Sequence, residues 1–204
     1  MEKPESTKDR LLAVGIAKFA EKGFAGTTVD EIVEAAKVNK RMVYHYFGSK
    51  EKLYQAALTD VYQRLGNMEV TLLAEPHEVE QMIRELIETY FTFLQQNPEF
   101  VNLLLWENLN RGRGLEGADF ELTKDPTMEH LDITIQHGIA IGKLRPDIKV
   151  KHLLISLIGL CLIYFSNRYT LSKILQIDLS SDKNLSEGVD HVLQLVLKGI
   201  LANN

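Results

Sequence analysis

The sequence has little cysteine and no long apolar run, and these two absences narrow the compartment in which the protein works. A single cysteine, Cys161, cannot form an intrachain disulfide and is typical of a reducing environment. The longest apolar stretch, residues 153–165, is interrupted by Ser156 and is shorter than the roughly 20 residues that a membrane-spanning helix needs. The N-terminal residues are crowded with charge and lack the apolar core of a signal peptide. We therefore expect a cytoplasmic protein without a membrane partner.

Patterns that carry catalysis or bind a metal are also missing. The sequence has no recognisable nucleophile–base pair, no phosphate-binding loop and no His-Glu-x-x-His motif. A metal site needs ligands that converge on one point, and only His130 and His137, seven residues apart, share a helix face. No histidine follows a glutamate by three residues, so the Glu-x-x-His pattern of di-iron helical bundles is absent too. The sequence therefore predicts no enzyme activity, no cofactor and no metal.

Helical periodicity dominates what is present, and alternating strand patterns are essentially missing. Hydrophobic residues make up 45% of the chain and charged residues 25%, which is typical of a globular protein. The net charge of -5 is unevenly distributed, because residues 1–50 sum to +2 and the remainder sums to -7. A modestly basic segment ahead of an acidic remainder is typical of a nucleic-acid-binding head joined to a body with another role.

The segment Thr27–Lys50 contains two short helical patterns separated by a tight break. Thr28 and Glu31 have the spacing of a capping box, in which a hydroxyl and a carboxylate satisfy free backbone donors reciprocally. Residues 36–38 form the turn, and Asn39 has a side chain suited to the N-cap of the second helix. These signals predict two short helices joined by a turn.

The second of these helices has two different faces. Val43 and Phe47 are four residues apart and can pack inward together. The opposite side is basic and aromatic, with Lys40, Arg41, Met42, Tyr44 and His45. Such a helix predicts a helix-turn-helix whose second member enters the major groove of DNA. The alternative interpretation is an ordinary helical hairpin in the core of a bundle.

The run from Phe19 to Leu58, with FAEKGF, TTVDEI, VYHYFGSKEKLY and AAL, resembles the N-terminal DNA-binding domain of the TetR family of bacterial transcriptional regulators. Two features depart from the family pattern. The turn residue is usually glycine and here is Lys37, and the recognition helix begins with Arg41 and Met42 where small residues are common. A lysine reaches the backbone conformation of such a turn only with some strain.

The resemblance implies an all-α fold of nine helices. Residues 1–48 would form a three-helix DNA-binding head with the helix-turn-helix, and residues 49–204 a six-helix ligand-binding and dimerisation body. Two helices predicted over Val150–Lys173 and Leu185–Leu201 carry more apolar surface than one small body can easily cover. In TetR-like proteins the corresponding helices form a four-helix dimer interface, which suits a palindromic operator. The alternative is that both helices bury their apolar stripes within the monomer.

The resemblance and the helix faces together assign the residues that contact DNA. Arg41 is the best candidate for a bidentate contact to a guanine edge, and Met42 for an apolar contact to a thymine methyl. Helix starts and hydroxyl groups are suited to phosphates. The full predicted set is Thr28, Asn39, Lys40, Arg41, Met42, Tyr44, His45 and Lys50, of which Thr28, Tyr44 and Lys50 hold phosphates.

Two polar clusters in the body are candidates for a small-molecule site. In VNLLLWENLNRGR, Glu107 and Arg111 continue the apolar face of the helix, and the segment resembles one found in a subgroup of TetR-like C-terminal domains. The alternative for this pair is a surface ion pair. The second cluster is Tyr164, Asn167 and Arg168, and its alternative is a set of hydrogen bonds closing a helix end. The predicted ligand-binding set is Phe91, Leu104, Glu107, Asn110, Arg111, Tyr164, Asn167 and Arg168.

These predictions describe a homodimeric transcriptional regulator, a repressor that an unidentified small molecule releases from a palindromic operator in double-stranded DNA. One alternative is a ligand-independent DNA-binding scaffold that recruits a partner protein. Another is an enzyme tethered to DNA by its head, against which the missing catalytic patterns argue. A cavity in the body would favour regulation by a small molecule, and a solid core would favour the scaffold.

Overall fold

The computed structural model describes residues 6–72, 78–117 and 126–202. Within these ranges the chain is predominantly helical, and the β pairing is limited to an isolated bridge between Leu144 and Leu201. The all-α class predicted from the sequence is confirmed. The helices are α1 (Thr7–Gly26), α2 (Val29–Ala36), α3 (Arg41–Phe47), α4 (Lys50–Leu72), α5 (Val79–Gln96), α6 (Pro98–Leu109), a 3-10 turn (Leu115–Gly117), α7 (Pro126–Ala140), α8 (Val150–Ser166), α9 (Arg168–Leu175) and α10 (Asp182–Ile200).

The chain divides into two compact units. The first contains the described parts of Met1–Arg64 and Pro98–Glu121, and the second those of Leu65–Asn97 and Leu122–Asn204. Helices α1 to α3, most of α4 and α6 therefore lie in the first unit, while α5 and α7 to α10 lie in the second. The first unit is thus larger than the predicted head of residues 1–48.

Helix α1 organises the first unit. It packs against α2, α3 and α6, and its apolar face buries Leu11, Ile16 and Phe19 almost completely. The sequence predicts that α1 stops at Gly23, and this residue does leave the helical region, with φ 69° and ψ 175°. The helix bends there and continues to Gly26, because the buried Thr27 hydroxyl donates to the carbonyl of Gly23 at 2.8 Å and secures the extra turn.

The single helix predicted over Val150–Lys173 is wrong, since the chain forms α8 and α9 with a bend of 76° between them. The break falls at Asn167, whose carbonyl accepts from the Thr170 hydroxyl at 3.0 Å and whose side-chain oxygen accepts from the Ser166 hydroxyl at 2.8 Å. Such local bonds offer the backbone an alternative to continuing the helix. The described part of the chain therefore has ten α-helices where nine were predicted.

Helix α5 is central to the second unit, where it packs against α8 and α10. Its apolar stripe is buried, and Ile83, Leu86 and Leu94 are each no more than 3% exposed. Among the described helices, none alone combines the length and apolar character that a bilayer span requires; α8 and α9 meet both criteria only when counted together.

Candidate nucleic-acid interface

The turn between α2 and α3 is built by the residues that the sequence indicated. The capping box is present, because the Glu31 N–H donates to the Thr28 hydroxyl at 3.2 Å and the Thr28 N–H donates to the Glu31 carboxylate at 2.8 Å. Lys37 ends α2 in the left-handed conformation, with φ 54° and ψ 47°. A non-glycine residue in this conformation costs about 1–2 kcal/mol. The expected turn is therefore made, with the strain that a lysine brings to it.

Helix α3 presents the predicted face to solvent. The Asn39 side chain accepts from the Arg41 N–H at 2.9 Å, but the N-cap of α3 is Lys40 and not Asn39 as predicted. Val43 is fully buried in the first unit, whereas Tyr44 is 51% exposed. Lys40, Arg41 and His45 are also exposed, and Met42 is only half-buried. The backbone of α3 thus directs a basic and aromatic surface away from its own core.

One exposed aromatic residue on α3 was not predicted. Tyr46 is 37% exposed, and its ring meets the ring of His45 edge-on at 4.9 Å. It lies three residues after the buried Val43, a spacing that favours the inward side, so the helical pattern alone does not reveal it. Tyr46 extends the exposed surface towards the end of α3.

The positively charged candidates differ in their surroundings. The Lys40 ammonium pairs with the Asp30 carboxylate at 2.8 Å, and the Lys50 ammonium lies 4.2 Å from the centre of the Phe24 ring. Arg41 is exposed and has no ion pair within the described residues. Two of the three cations are therefore held by side chains of the first unit, and Arg41 is the one presented to solvent without such a partner.

Thr28 is also engaged within the unit. Its hydroxyl donates to the Glu31 carboxylate at 2.9 Å, and its N–H donates to the same group. Lys22 reaches that carboxylate from α1 at 2.6 Å. These contacts lower the pKa of Glu31 from its ordinary value of 4.5 to about 2, the Lys22 hydrogen bond being the largest cause and the Thr28 donors the next. Glu31 thus stays ionised at neutral pH and occupies the start of α2.

Glu107 is buried rather than paired on the surface. It is 2% exposed, and it accepts from the Tyr54 hydroxyl at 2.5 Å and from the Gly114 N–H at 2.9 Å. Arg111 is exposed with φ 60°, and the described residues contain no ion pair between it and Glu107. The surface-pair alternative is therefore wrong. Burial, and then the hydrogen bond to Glu107, raise the pKa of Tyr54 well above its usual range, so its phenol remains a donor.

The residue before Glu107 makes a second attachment of α6. The Trp106 indole N–H donates to the Ala20 carbonyl at 3.3 Å. Its ring lies so close to Gly23 that a Cβ there would be 2.9 Å from the ring carbons. Two consecutive residues of α6 thus contact α1 and α4, which is why α6 belongs to the first unit.

The predicted ligand-binding residues are divided between the two units. Leu104, Glu107, Asn110 and Arg111 belong to the first, and Phe91, Tyr164, Asn167 and Arg168 to the second. In the second unit the rings of Phe91 and Tyr164 are 5.1 Å apart, and Asn167 lies exposed at the bend between α8 and α9. The assignment of all eight to one ligand remains a prediction.

A cavity of about 310 Å³ lies between α5 and α10 in the second unit. Phe91, Leu185 and Val189 contribute apolar surface to it, and Glu88, Asp182 and Asp190 contribute carboxylates. Among the described residues, no three histidine, cysteine, aspartate or glutamate side chains are grouped in a way that would hold a metal ion. The cavity therefore combines apolar and acidic surface.

Two family profiles match this chain. Residues 11–57 match the bacterial regulatory proteins of the tetR family, and residues 80–196 match the tetracyclin repressor-like C-terminal domain. The chain belongs to the TetR family. It is a DNA-binding transcriptional regulator, and the resemblance carried by the run from Phe19 to Leu58 is confirmed.

Individual TetR-family relatives align over most of the chain. It is 32% identical to the HTH-type transcriptional repressor NicS of Pseudomonas putida over 197 residues, which are 96% of this chain and 93% of NicS. It is 27% identical to the HTH-type transcriptional repressor KstR2 of Mycolicibacterium smegmatis over 149 residues, 72% of each chain.

Solved structures share the fold. A TetR transcriptional regulator from Chloroflexus aurantiacus is similar with a TM-score of 0.69 at 21% identity, covering 96% of this chain and 97% of that one. The regulator FadR from Bacillus subtilis, in complex with stearoyl-CoA, is similar with a TM-score of 0.66 at 16% identity, covering 93% and 97%.

The two C-terminal helices of this TetR-family chain differ in how much apolar surface they expose. Helix α8 exposes Ile155 by 65% and Ile163 by 41%, with Gly159 between them in open space. These three residues are spaced by four and form one row along the helix. The predicted apolar stripe of the last helix is mostly buried inside the subunit, against α5 and α8, and Leu195 is its large exposed residue. Most of that stripe is thus buried within the subunit, as are Leu157 and Cys161 on α8, whereas Ile155 and Ile158 are exposed. The dimer through these two helices remains a prediction.

Proposed function

We propose that this TetR-family regulator is a homodimeric repressor that leaves a palindromic operator when a small molecule binds its second unit. The observation that carries the proposal is the orientation of α3, whose Val43 is fully buried while Arg41 and Tyr44 face solvent. A short helix anchored in this way can enter a major groove without disturbing its own core. The names of NicS and KstR2 support repression over activation.

Within the groove we assign separate roles to the side chains. Arg41 reads a guanine edge through its two parallel donors, because its guanidinium is presented to solvent without an ion pair among the described residues. Tyr44 and Lys50 hold phosphates, and Met42, being half-buried, offers only its tip to a thymine methyl. Thr28 contributes to a phosphate contact when its hydroxyl or its N–H turns from the Glu31 carboxylate to the phosphate.

A dimer supplies the second reading helix. The row of Ile155, Gly159 and Ile163 on α8 is apolar, exposed and flat at its centre, which suits close approach by the same row of a second copy. Two recognition helices related by two-fold symmetry would then meet half-sites about 34–36 Å apart, one turn of the duplex.

Release by an effector requires a connection between the two units. Helix α4 belongs to the first unit as far as Arg64 and to the second beyond it, so a change in its tilt alters the spacing of the reading helices. The cavity beside Phe91 is at the lower end of the volumes that hold small ligands. To move most of the population off DNA, the effector must bind the released state several kcal/mol more tightly.

The test begins with selection of a binding site from a library of random duplexes by the purified protein. We expect a palindrome with half-sites one helical turn apart. Arg41→Ala should relax the preference at one position of each half-site, whereas Lys50→Ala should weaken binding to all sequences alike and reduce its salt dependence. Failure to retard any duplex, or an equal loss of specificity in both variants, would contradict the proposal.

A further inference from the structure

Helix α2 begins with two adjacent carboxylates, and each of them pairs with a lysine from outside α2. Glu31 pairs with Lys22 of α1 at 2.6 Å and also completes the capping box, so its presence is explained by the stability of the head. Asp30 pairs with Lys40, just before the recognition helix, at 2.8 Å. Asp30 caps nothing, since the Thr28 hydroxyl already accepts the N–H that the cap requires. Its pairing with Lys40 needs a separate explanation.

The Asp30–Lys40 pair lies on the surface and is free to exchange. The side chain of Lys40 is 49% exposed and that of Asp30 is 73% exposed. The ammonium contacts both carboxylate oxygens, at 2.8 and 3.0 Å. Because both side chains are this exposed, Lys40 can change partners without any rearrangement of the core. The hydrogen bond to Asp30 raises the pKa of Lys40. The ammonium is protonated at neutral pH with or without this pair.

The Asp30–Lys40 pair lies at the start of α2, where a phosphate could also bind. Asp30 is in the first turn of α2, where backbone donors and the helix dipole favour an anion. A DNA phosphate brought to the start of α2 would therefore compete with the Asp30 carboxylate for the same ammonium. A carboxylate and a phosphate oxygen present similar acceptors to a lysine.

We propose that Asp30 holds Lys40 in place of a DNA phosphate and so weakens the binding of the free regulator to duplex of any sequence. The inference rests on the proposed DNA-binding function and adds an acidic residue that restrains it. Contacts to phosphate carry no sequence information, whereas the Arg41 contact does. Restraining Lys40 therefore lowers non-specific binding while leaving the base-reading contact intact, and Asp30 acts as a specificity-determining residue.

The size of the effect follows from the strength of exposed ion pairs. Such a pair is worth roughly 0.2–1 kcal/mol, so Asp30→Asn should tighten non-specific binding about 1.4- to fivefold at low salt. One more lysine available to phosphate also steepens the dependence of log affinity on log salt concentration by up to about 0.9. Both changes require Lys40, and both should vanish when it is absent.

The experiment is a double-mutant cycle on the full chain, with a fluorescein-labelled duplex of mixed sequence as the probe and anisotropy measured between about 50 and 200 mM salt. The variants are Asp30→Asn, Lys40→Ala and the two combined. Glu34→Gln is the matched control, because Glu34 is exposed one helical turn further along α2 and has no ion pair among the described residues. Asp30→Ser repeats the loss of charge with a different side chain, and a thermal melt of each variant checks the fold.

The inference predicts tighter binding and a steeper salt slope for Asp30→Asn and Asp30→Ser, with no such change when Lys40 is alanine. An equal gain in the Lys40→Ala background would overturn it, because the gain would then come from the general field of the removed charge. A gain in Glu34→Gln as large as in Asp30→Asn, or no gain in Asp30→Asn, would overturn it as well. If the wild type binds no duplex, the proposed function fails. If the wild type binds DNA and the Asp30 variants bind it no more tightly, that function stands and this inference alone fails.

Discussion

The two units of the molecule differ in what they leave exposed. Ten of the 14 large apolar side chains exposed among the described residues belong to the second unit, and most of them are isoleucines. In the first unit the exposed aromatic residues lie on α3, and the buried polar group Glu107 finds its partners within the unit. The second unit therefore exposes more aliphatic surface than the first.

This contrast supports the proposed assignment of one partner to each unit. DNA is a polar, highly charged surface, so the unit that binds it presents cations, hydroxyls and aromatic rings. A second copy of the chain is recognised mainly through buried apolar area, so the unit that binds it leaves aliphatic side chains uncovered. The row on α8 has the composition expected of such an interface, which makes its disruption the most severe test of the comparison.

Ile155→Asp should produce the largest effect. In the dimer each subunit would bury one carboxylate in an apolar interface and lose one isoleucine contact, so we expect dimerisation to weaken by about 4 kcal/mol, or roughly 1,000-fold. Sedimentation velocity over a range of protein concentrations measures the change.

The matched control is Ile133→Asp on α7. Ile133 is 62% exposed and Ile155 is 65% exposed, but Ile133 lies outside the α8 row. Its variant should remain a dimer, and loss of the dimer in both variants would place the interface elsewhere or attribute the effect to general destabilisation. Operator binding should fall together with dimerisation in Ile155→Asp alone.

A second test disturbs the backbone and the packing of the first unit at Gly23. With φ 69° and ψ 175° this position is accessible essentially to glycine, and an added Cβ would be 2.9 Å from the Trp106 ring. Gly23→Ala should therefore lower the free energy of unfolding by about 2–4 kcal/mol in urea titrations. Gly66→Ala in α4 is the control, since a Cβ there meets nothing within 4 Å; it should stabilise by up to about 1 kcal/mol. Equal effects at both positions would mean that the Gly23 conformation is unimportant.

The first unit was the more predictable from the sequence, because its signals are local. The capping box of Thr28 and Glu31 and the inward Val43 both depend on residues at most four apart, and both are present in the structure. Short-range geometry decides such features before any tertiary contact forms. Local patterns thus predicted the exposed face of α3 to which the proposed DNA contacts are assigned.

Contacts between distant residues could not be read in this way. Glu107 finds Tyr54, 53 residues earlier, and this pairing attaches α6 to α4 through a contact that no local pattern indicates. No glycine or proline in the sequence indicates the bend at Asn167. The bend depends on side-chain hydrogen bonds that a helical pattern does not reveal. Periodicity indicates which face is apolar but not which residue will cover it.

The attachment of α6 gives a third, smaller test of the first unit. Tyr54→Phe removes the hydroxyl that donates a hydrogen bond to Glu107 at 2.5 Å. The buried carboxylate keeps the hydrogen bond from the Gly114 N–H. Hydrogen bonds to charged groups are worth about 1.5–3 kcal/mol, so we expect unfolding to become easier by roughly that amount. Tyr44→Phe, on the exposed face of α3, should change stability by less than about 0.5 kcal/mol. A Tyr54→Phe protein as stable as the wild type would show that Glu107 needs only its backbone donor.

The smallest expected effect concerns the pH dependence of the link between α1 and α2. Because Lys22 and Thr28 lower the pKa of Glu31 from 4.5 to about 2, the folded state binds a proton there less readily than the unfolded state does. The stabilisation by Glu31 is therefore fully present above about pH 4.5 and is lost as the pH falls towards 2. Urea titrations of wild type and Glu31→Gln should differ at pH 6 and converge through this window, with Glu34→Gln as a control for removing a carboxylate outside the ion pair. A wild-type advantage that persisted unchanged below about pH 3 would show that the charge of Glu31 does not join the two helices, and that the head depends on its apolar core alone.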